Sequence, residues 1–204
     1  FYNNGDLPRI PVYVDSPLAT NATSIFKMHL DDFNKEVAEV LEYDEDPFGF
    51  NTLRYVTNVN VSKALNTTKE PCIIISASGM MEGGRVKHHI ANSIARPNNS
   101  ILAIGYCAPT TLGAKLLADP RPEVVSIFGN EYSVLADIYS IDAFSGHGDY
   151  SEMINYLKCQ DPKKVKKVFL VHGEPDALKF YKRQLRKEGF ENIVIPEPGE
   201  TFEL

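Results

Sequence analysis

The sequence predicts an α/β fold with a mainly parallel sheet flanked by helices. Strand and helix patterns alternate through most of the 204 residues, and this alternation is typical of parallel strands joined by helices. Several predicted strands, among them PCIIIS (71–76) and SILAIGY (100–106), are apolar almost throughout. Parallel strands that are buried on both faces have this composition, so we expect both faces of these strands to be covered.

In the N-terminal half, strand and helix signals follow each other closely. RIPVYVD (9–15) is a short apolar run that predicts a buried strand. Ser16 can cap the helix after it, and Pro17 suits the first helical position. The later candidates are a helix in VAEVLEYDEDPF, a strand in LRYVTNV (53–59) and a short helix in SKALNTTK.

The remaining elements continue this order after PCIIIS. EVVSIFG and EYSVLADIYSI flank a turn at Gly129–Asn130 and predict a β-hairpin. Helices are predicted in GRVKHHIANSIAR, TLGAKLLADP, DYSEMINYLKC and DALKFYKRQLRKEG, and strands in KKVFLVH (166–172) and NIVIP.

Composition excludes several classes of protein. With 43% hydrophobic and 24% charged residues the chain has an ordinary soluble, globular composition. The sequence contains no run of 18 apolar residues and no signal-peptide pattern, so we expect no membrane partner. The net charge of -6 means that RNA or DNA could be bound only in a local groove.

Three widely spaced cysteines indicate a reducing, cytoplasmic setting. Because the chain opens on FYNNGDLP without Met, we expect it to be part of a longer protein.

Polar clusters stand at four predicted strand ends. In open α/β sheets, ligands bind beyond the carboxyl ends of the strands, so the coincidence indicates a site. The clusters are Asp15-Ser16, Ser76-Ala77-Ser78-Gly79, Ser145-Gly146-His147 and His172-Gly173-Glu174.

The second cluster lies in ISASGMMEGGR, which has two interpretations. Small residues before a helix N-terminus let a phosphate approach the backbone, and Arg85 could add its charge. Equally, the segment could be a glycine-rich turn that only connects strand to helix. The phosphate-binding pattern GxxxxGK[ST] is absent.

The five histidines fall into two groups. His88 and His89 are neighbours on a helix and point about 100° apart, so they do not share a ligand. We interpret both, and His29, as surface or partly packed residues. His147 and His172 stand at strand ends, where imidazole could bind a metal or transfer a proton. Two histidines do not complete a zinc site.

Five segments, in order, resemble the C-terminal part of the β-CASP metallo-β-lactamase family of RNA-processing nucleases, which includes the cleavage and polyadenylation endonuclease. The segments are PVYVDSPLA, IIISASGMMEGGRVKHH, ILAIGYCAPTTLGAKLL, DAFSGHGDYSEM and VFLVHGE. The resemblance implies that residues 1–143 form a β-CASP domain without its N-terminal part. In this family the β-CASP domain is an insertion in a metallo-β-lactamase αββα fold. Residues 144–204 would then be the C-terminal segment with which the chain returns to that fold.

The resemblance also implies roles for individual residues. His147 would be catalytic, protonating the leaving group, and His172 would be a zinc ligand. Ser78, Gly79 and Arg85 would bind the RNA phosphates. Independently of the resemblance, Asp149 or Glu174 could orient a histidine ring from a second layer around the site.

The family's principal zinc motif, HxHxDH, is absent from the sequence. We therefore expect a fragment of a zinc-dependent ribonuclease that hydrolyses RNA phosphodiester bonds by a two-metal mechanism. Two zinc ions would bind in the parent protein, and this chain alone would be inactive. RNA is the expected partner, with a homodimer as one candidate oligomeric state. The alternative is a non-catalytic subunit that binds RNA or a partner of an RNA-processing complex; a small-molecule hydrolase is disfavoured because the β-CASP domain covers the site.

Overall fold

A computed structural model describes residues 5–6, 8–141, 143–144 and 147–203 of the chain. Helices and strands alternate, and most strand pairs are parallel, which confirms the predicted α/β class. The strands are β1 (Val12–Val14), β2 (Leu53–Tyr55), β3 (Ile73–Ile75), β4 (Ser100–Ile104), β5 (Val124–Ile127), β6 (Asn130–Ser133), β7 (Asp137–Ile141), β8 (Val168–Phe169) and β9 (Ile193–Val194). The helices are α1 (Pro17–Met28), α2 (Lys35–Leu41), α3 (Val59–Leu65), α4 (Gly84–Ser93), α5 (Leu112–Leu116), α6 (Tyr150–Leu157) and α7 (Pro175–Lys187), with a short 3-10 helix at Leu30–Asp32.

The first sheet has the strand order β2–β1–β3, and all of its strands are parallel. Val12 of the central strand pairs with Leu53 on one side and Ile73 on the other. The carboxyl ends of the three strands therefore lie at one edge, and Asp15 and Ser76 follow directly at that edge. The Ser16 side chain accepts a hydrogen bond from the Ala19 amide at 3.2 Å and caps α1, as predicted.

Strands β5, β6 and β7 differ from prediction in two respects. The turn between β5 and β6 is formed by Phe128 and Gly129, because Ile127 pairs with Asn130; the predicted turn at Gly129–Asn130 was one residue too late. The segment after this turn is not one strand. It breaks after β6, and β7 pairs in parallel with β4.

The strands expected to be buried on both faces are covered on one face. In β4, Ile101 and Ala103 are buried, whereas Leu102 and Ile104 are about half exposed. In β3, Ile74 is partly buried, whereas Ile73 and Ile75 are exposed. Among the described residues, no helix is long and apolar enough to span a membrane.

Two compact units make up the chain, Phe1–Phe144 and Ser145–Leu204, and each has its own core. The first core lies between α4, α5 and strands β4, β5 and β7, with Ile94, Leu116 and Ile127 fully buried. The second core joins α6, α7 and the β8–β9 pair around Leu185. The assignment of residues 1–143 and 144–204 to two domains of a larger fold stays a prediction.

Candidate functional site

Asp15, at the carboxyl end of β1, is the centre of a buried polar network in the first unit. Its side chain has no solvent exposure. The carboxylate accepts hydrogen bonds from Ser62 Oγ at 2.6 Å, Arg85 Nη1 at 2.5 Å and His89 Nε2 at 2.6 Å. We call these four residues the Asp15 network. It joins β1, α3 and α4 at the edge of the sheet where ligands were expected.

The network keeps the Asp15 carboxylate ionised. Burial by itself would raise the pKa of Asp15. The hydrogen bonds from Ser62, His89 and Arg85, together with the positive charge of Arg85, outweigh this effect and hold the pKa below its ordinary value.

Arg85 was predicted to bind RNA phosphate, and its guanidinium is engaged by protein groups. Besides Asp15, it donates to the carbonyl oxygens of Val56 at 2.8 Å and Thr57 at 2.7 Å. These bonds connect α4 to β1 and to the segment after β2. They direct three of the five guanidinium N–H groups toward protein acceptors. The phosphate-binding role of Arg85 stays a prediction.

His89 is buried, more deeply than the surface or partly packed position that the sequence predicted. Its Nδ1 lies 2.7 Å from Asn66 Oδ1, so both ring nitrogens have polar partners. The sequence carried a signal for this arrangement. Arg85 and His89 are four residues apart on one helix face, and both reach the acid that ends β1.

The loop between β3 and α4 presents Ser78 and Gly79 to solvent. The Ser78 amide donates to the Gly83 carbonyl at 3.1 Å and closes the loop. Gly84 has φ +73°, and a Cβ there would overlap the carbonyl oxygen of Ala77, so the first position of α4 requires glycine. Both predicted phosphate-binding residues of this loop are exposed. Their contact with RNA stays a prediction.

His147 and His172 come together in the second unit. Their ring centroids are 6.2 Å apart and the ring planes differ by 22°. His147 precedes α6, and His172 follows β8 with φ +59°, a conformation in which histidine is several-fold enriched. Both side chains are exposed. We call them the histidine pair. Ser145 and Gly146 of the same cluster lie outside the described residues.

The two predicted orienting acids stand at helix starts. Asp149 caps α6, because its Oδ1 accepts from the amides of Ser151 at 2.7 Å and Glu152 at 2.8 Å. The Glu152 carboxylate accepts in return from the Asp149 amide at 2.9 Å. Glu174 is at the N-cap of α7, and its side chain makes no capping hydrogen bond. Their orienting role stays a prediction.

The described residues do not form a complete zinc site. They contain no group of three or more His, Cys, Asp or Glu side chains placed to hold a metal ion. Catalytic zinc takes three protein ligands. Of the candidate ligands, His172 could supply one coordinating nitrogen, and the others would have to come from elsewhere.

Two family models match the chain. The one described as the Beta-Casp domain covers residues 1–116. The one described as the Zn-dependent metallo-hydrolase RNA specificity domain covers residues 131–196. The Asp15 network lies in the first range and the histidine pair in the second.

Several characterised proteins are similar over most of the chain. Ribonuclease TTHA0252 of Thermus thermophilus is 34% identical over 178 residues, which are 87% of this chain and 40% of the relative. The RNase J-like protein of Methanocaldococcus jannaschii is 31% identical over 85% of this chain and 38% of its own length. Cleavage and polyadenylation specificity factor 73 of Drosophila melanogaster is 27% identical over 91% of this chain and 26% of its own length. The chain thus spans 40% or less of these relatives.

Proposed function

The chain belongs to the β-CASP family of metallo-hydrolases, and from this premise we propose that the full-length protein is a zinc-dependent ribonuclease that hydrolyses RNA phosphodiester bonds. The match to an RNA specificity domain supports RNA as the substrate. The name of the Thermus relative supports hydrolytic cleavage. The observation that carries the proposal is the histidine pair, which two separate loops bring to one place.

His147 is the proposed catalytic residue. Its exposed imidazole is a side chain that can transfer a proton to a substrate oxygen. Breaking a phosphodiester bond leaves a negative charge on the departing oxygen. A proton from His147 to this oxygen would neutralise that charge as the bond breaks.

His172 is the proposed zinc ligand of this chain. The other ligands would be residues of the full-length protein outside this chain, in keeping with the incomplete ligand set of the described residues. When bound, zinc supplies a Lewis acid and an activated water. The structural contribution of this chain is to hold the His172 ring beside His147.

The loop that carries Ser78 and Gly79 is the proposed contact for the RNA backbone. The Ser78 hydroxyl and the amide of Gly79 can donate to phosphate oxygens, and Arg85 lies in the first turn of the following helix. Contacts of this kind position RNA without selecting its sequence.

We also propose a cytoplasmic location. Cys72 and Cys159 have free thiols, and a reducing compartment keeps thiols in this state. The homodimer stays a prediction.

RNA cleavage by the full-length protein tests the proposal. We expect His147→Ala to lower the single-turnover cleavage rate of a labelled RNA by about 10²–10⁴-fold, because the leaving oxygen loses its proton donor. The matched control is His29→Ala, which removes an exposed histidine at the end of α1 and should leave the rate unchanged. Zinc content and thermal unfolding are measured for all three proteins.

Each outcome separates the proposal from its rivals. Wild-type cleavage with loss only in His147→Ala supports the ribonuclease. Equal cleavage by all three proteins means that His147 has a structural role. Binding of RNA without cleavage by the zinc-loaded wild type favours the non-catalytic, RNA-binding subunit instead.

A further inference from the structure

Phe128 occupies an unusual position at the tip of the β5–β6 hairpin. It is the first of the two turn residues and has φ +53°. Turns with positive φ at this position favour Asn, Asp or Gly, and a bulky residue there is uncommon. The side chain is nevertheless 53% exposed. Phe128 therefore combines an unfavourable backbone conformation with an open aromatic ring, a combination that core packing does not explain.

Two residues of α4 hold the Phe128 ring in place. The His88 ring stacks on it, with centroids 4.6 Å apart and planes 28° apart. Lys87 Nζ lies 5.4 Å from the ring centroid. Lys87 is itself anchored by Glu82, whose Oε2 is 3.0 Å from the ammonium group. We call Phe128, His88 and Lys87 the stacking platform.

The charge along the sequence differs between the segment around α4 and the segment around α2. Residues 71–118, which include α4, contain four Lys or Arg residues and a single acid, Glu82. By contrast, residues 31–46 contain eight acids and one lysine. Arg85 is paired with Asp15 and Lys87 with Glu82, and the hairpin segment carries Glu123 and Glu131. The segment around α4 therefore repels a polyanion less than the segment around α2 does.

We propose that the stacking platform binds a base of single-stranded RNA; this inference rests on the proposed ribonuclease function and adds a base contact to it. Aromatic side chains stack on any base, because every base has a π face. Lys87 and His88 place positive or polar groups beside the ring, where the flanking phosphates would lie. Ser78 and Gly79 precede α4 in the same unit. Phosphate contacts at these residues and the base contact at the stacking platform would follow one another along the RNA.

Fluorescence anisotropy with the full-length protein tests this inference. The probes are a fluorescein-labelled ten-nucleotide oligoadenylate and the same ribose-phosphate chain without bases, both with EDTA present to prevent cleavage. We expect Phe128→Ala to weaken oligoadenylate binding by about 5- to 100-fold and to leave abasic binding unchanged. Phe128→Trp should restore the affinity. Tyr43→Ala, which removes an exposed aromatic residue of the acidic segment, is the matched control and should have no effect.

The abasic probe distinguishes stacking from a structural role. If Phe128 only anchors the hairpin, Phe128→Ala weakens the binding of both probes equally, and this result overturns the inference. Unchanged oligoadenylate binding in Phe128→Ala overturns it as well. If Phe128→Ala binds oligoadenylate as tightly as the wild type while the wild type cuts RNA, the stacking inference fails and the proposed ribonuclease function stands. If the wild type binds no RNA, the proposed function fails together with it.

Discussion

Asp15 shows how one buried charge organises a region. Taking a carboxylate out of water is costly unless charged or polar donors surround it. Here a guanidinium, an imidazole and a hydroxyl each donate within 2.6 Å. Because these donors come from α3 and α4, the ionised carboxylate positions both helices at the carboxyl edge of the first sheet.

The lowered pKa of Asp15 predicts a pH-dependent stability. A carboxyl group whose folded-state pKa is depressed stabilises the fold fully above its unfolded pKa of about 3.9. This contribution is lost as the pH falls from there through the lower folded-state value. At pH 7 we expect Asp15→Asn to destabilise the protein by about 3–5 kcal/mol, since Arg85 and His89 lose their anionic partner. Below pH 4 the difference in the free energy of unfolding between the wild type and Asp15→Asn should become smaller.

Thermal unfolding midpoints of the full-length protein at pH 7 and pH 3.5 measure this effect. The control is Asp137→Asn, which changes an exposed acid on β7 and should shift stability by less than about 0.5 kcal/mol. If the unfolding midpoints of the wild type and Asp15→Asn differ by the same amount at both pH values, Asp15 is not ionised in the folded protein as we describe.

Single residues of the site were only partly predictable. Asp15, Arg85 and the histidine pair stood out because polar residues at strand ends are informative in any α/β sequence. That Arg85 and His89 share Asp15 as a partner depends on the crossing of α4 over β1. This tertiary contact has no pattern within either segment, so the sequence predicted only a surface or partly packed position for His89.

At the scale of elements, α6 is fixed at its start by a reciprocal cap. The side chains of Asp149 and Glu152 each accept from the backbone of the other residue, and α6 begins three residues after His147. The same Asp149 carboxylate was predicted to orient a histidine ring. Substitution can separate these two roles.

We expect Asp149→Asn to keep the cap, since asparagine caps as well as aspartate, and therefore to keep the thermal stability of the protein. If the carboxylate orients a ring, cleavage or zinc affinity falls by about 10- to 100-fold. Asp149→Ala loses the cap as well, at a cost of about 1 kcal/mol. Full activity in a stable Asp149→Asn protein would limit Asp149 to capping.

Element types were predicted better than their edges. The hairpin was recognised from its glycine, but the register that makes Phe128 a turn residue follows from the pairing of Ile127 with Asn130. The sequence FGN allows both turns, and cross-strand packing selects one. Similarly, the apolar composition of β4 could not show that Leu102 and Ile104 would be open to solvent.

At the scale of the whole molecule, the chain has two cores and an incomplete set of zinc ligands among its described residues. We therefore expect the 204-residue chain by itself to bind no zinc tightly and to cut no RNA, whereas the full-length protein does both. Elemental analysis after gel filtration, with RNA cleavage on the same samples, measures this. Two tightly bound zinc ions per isolated chain would contradict the expectation.

Cleavage of RNA with a sulfur leaving group tests the catalytic role of His147 most directly. In a bridging phosphorothiolate RNA, made with sulfur at the 3′ or the 5′ bridging position, the departing thiolate needs no proton, because thiols are far more acidic than alcohols. We predict that His147→Ala cuts ordinary RNA about 10²–10⁴-fold more slowly than the wild type, and that both proteins cut one of the two phosphorothiolate RNAs at nearly equal rates. An equally large defect on ordinary RNA and on both phosphorothiolates would show that His147 does not protonate the leaving group.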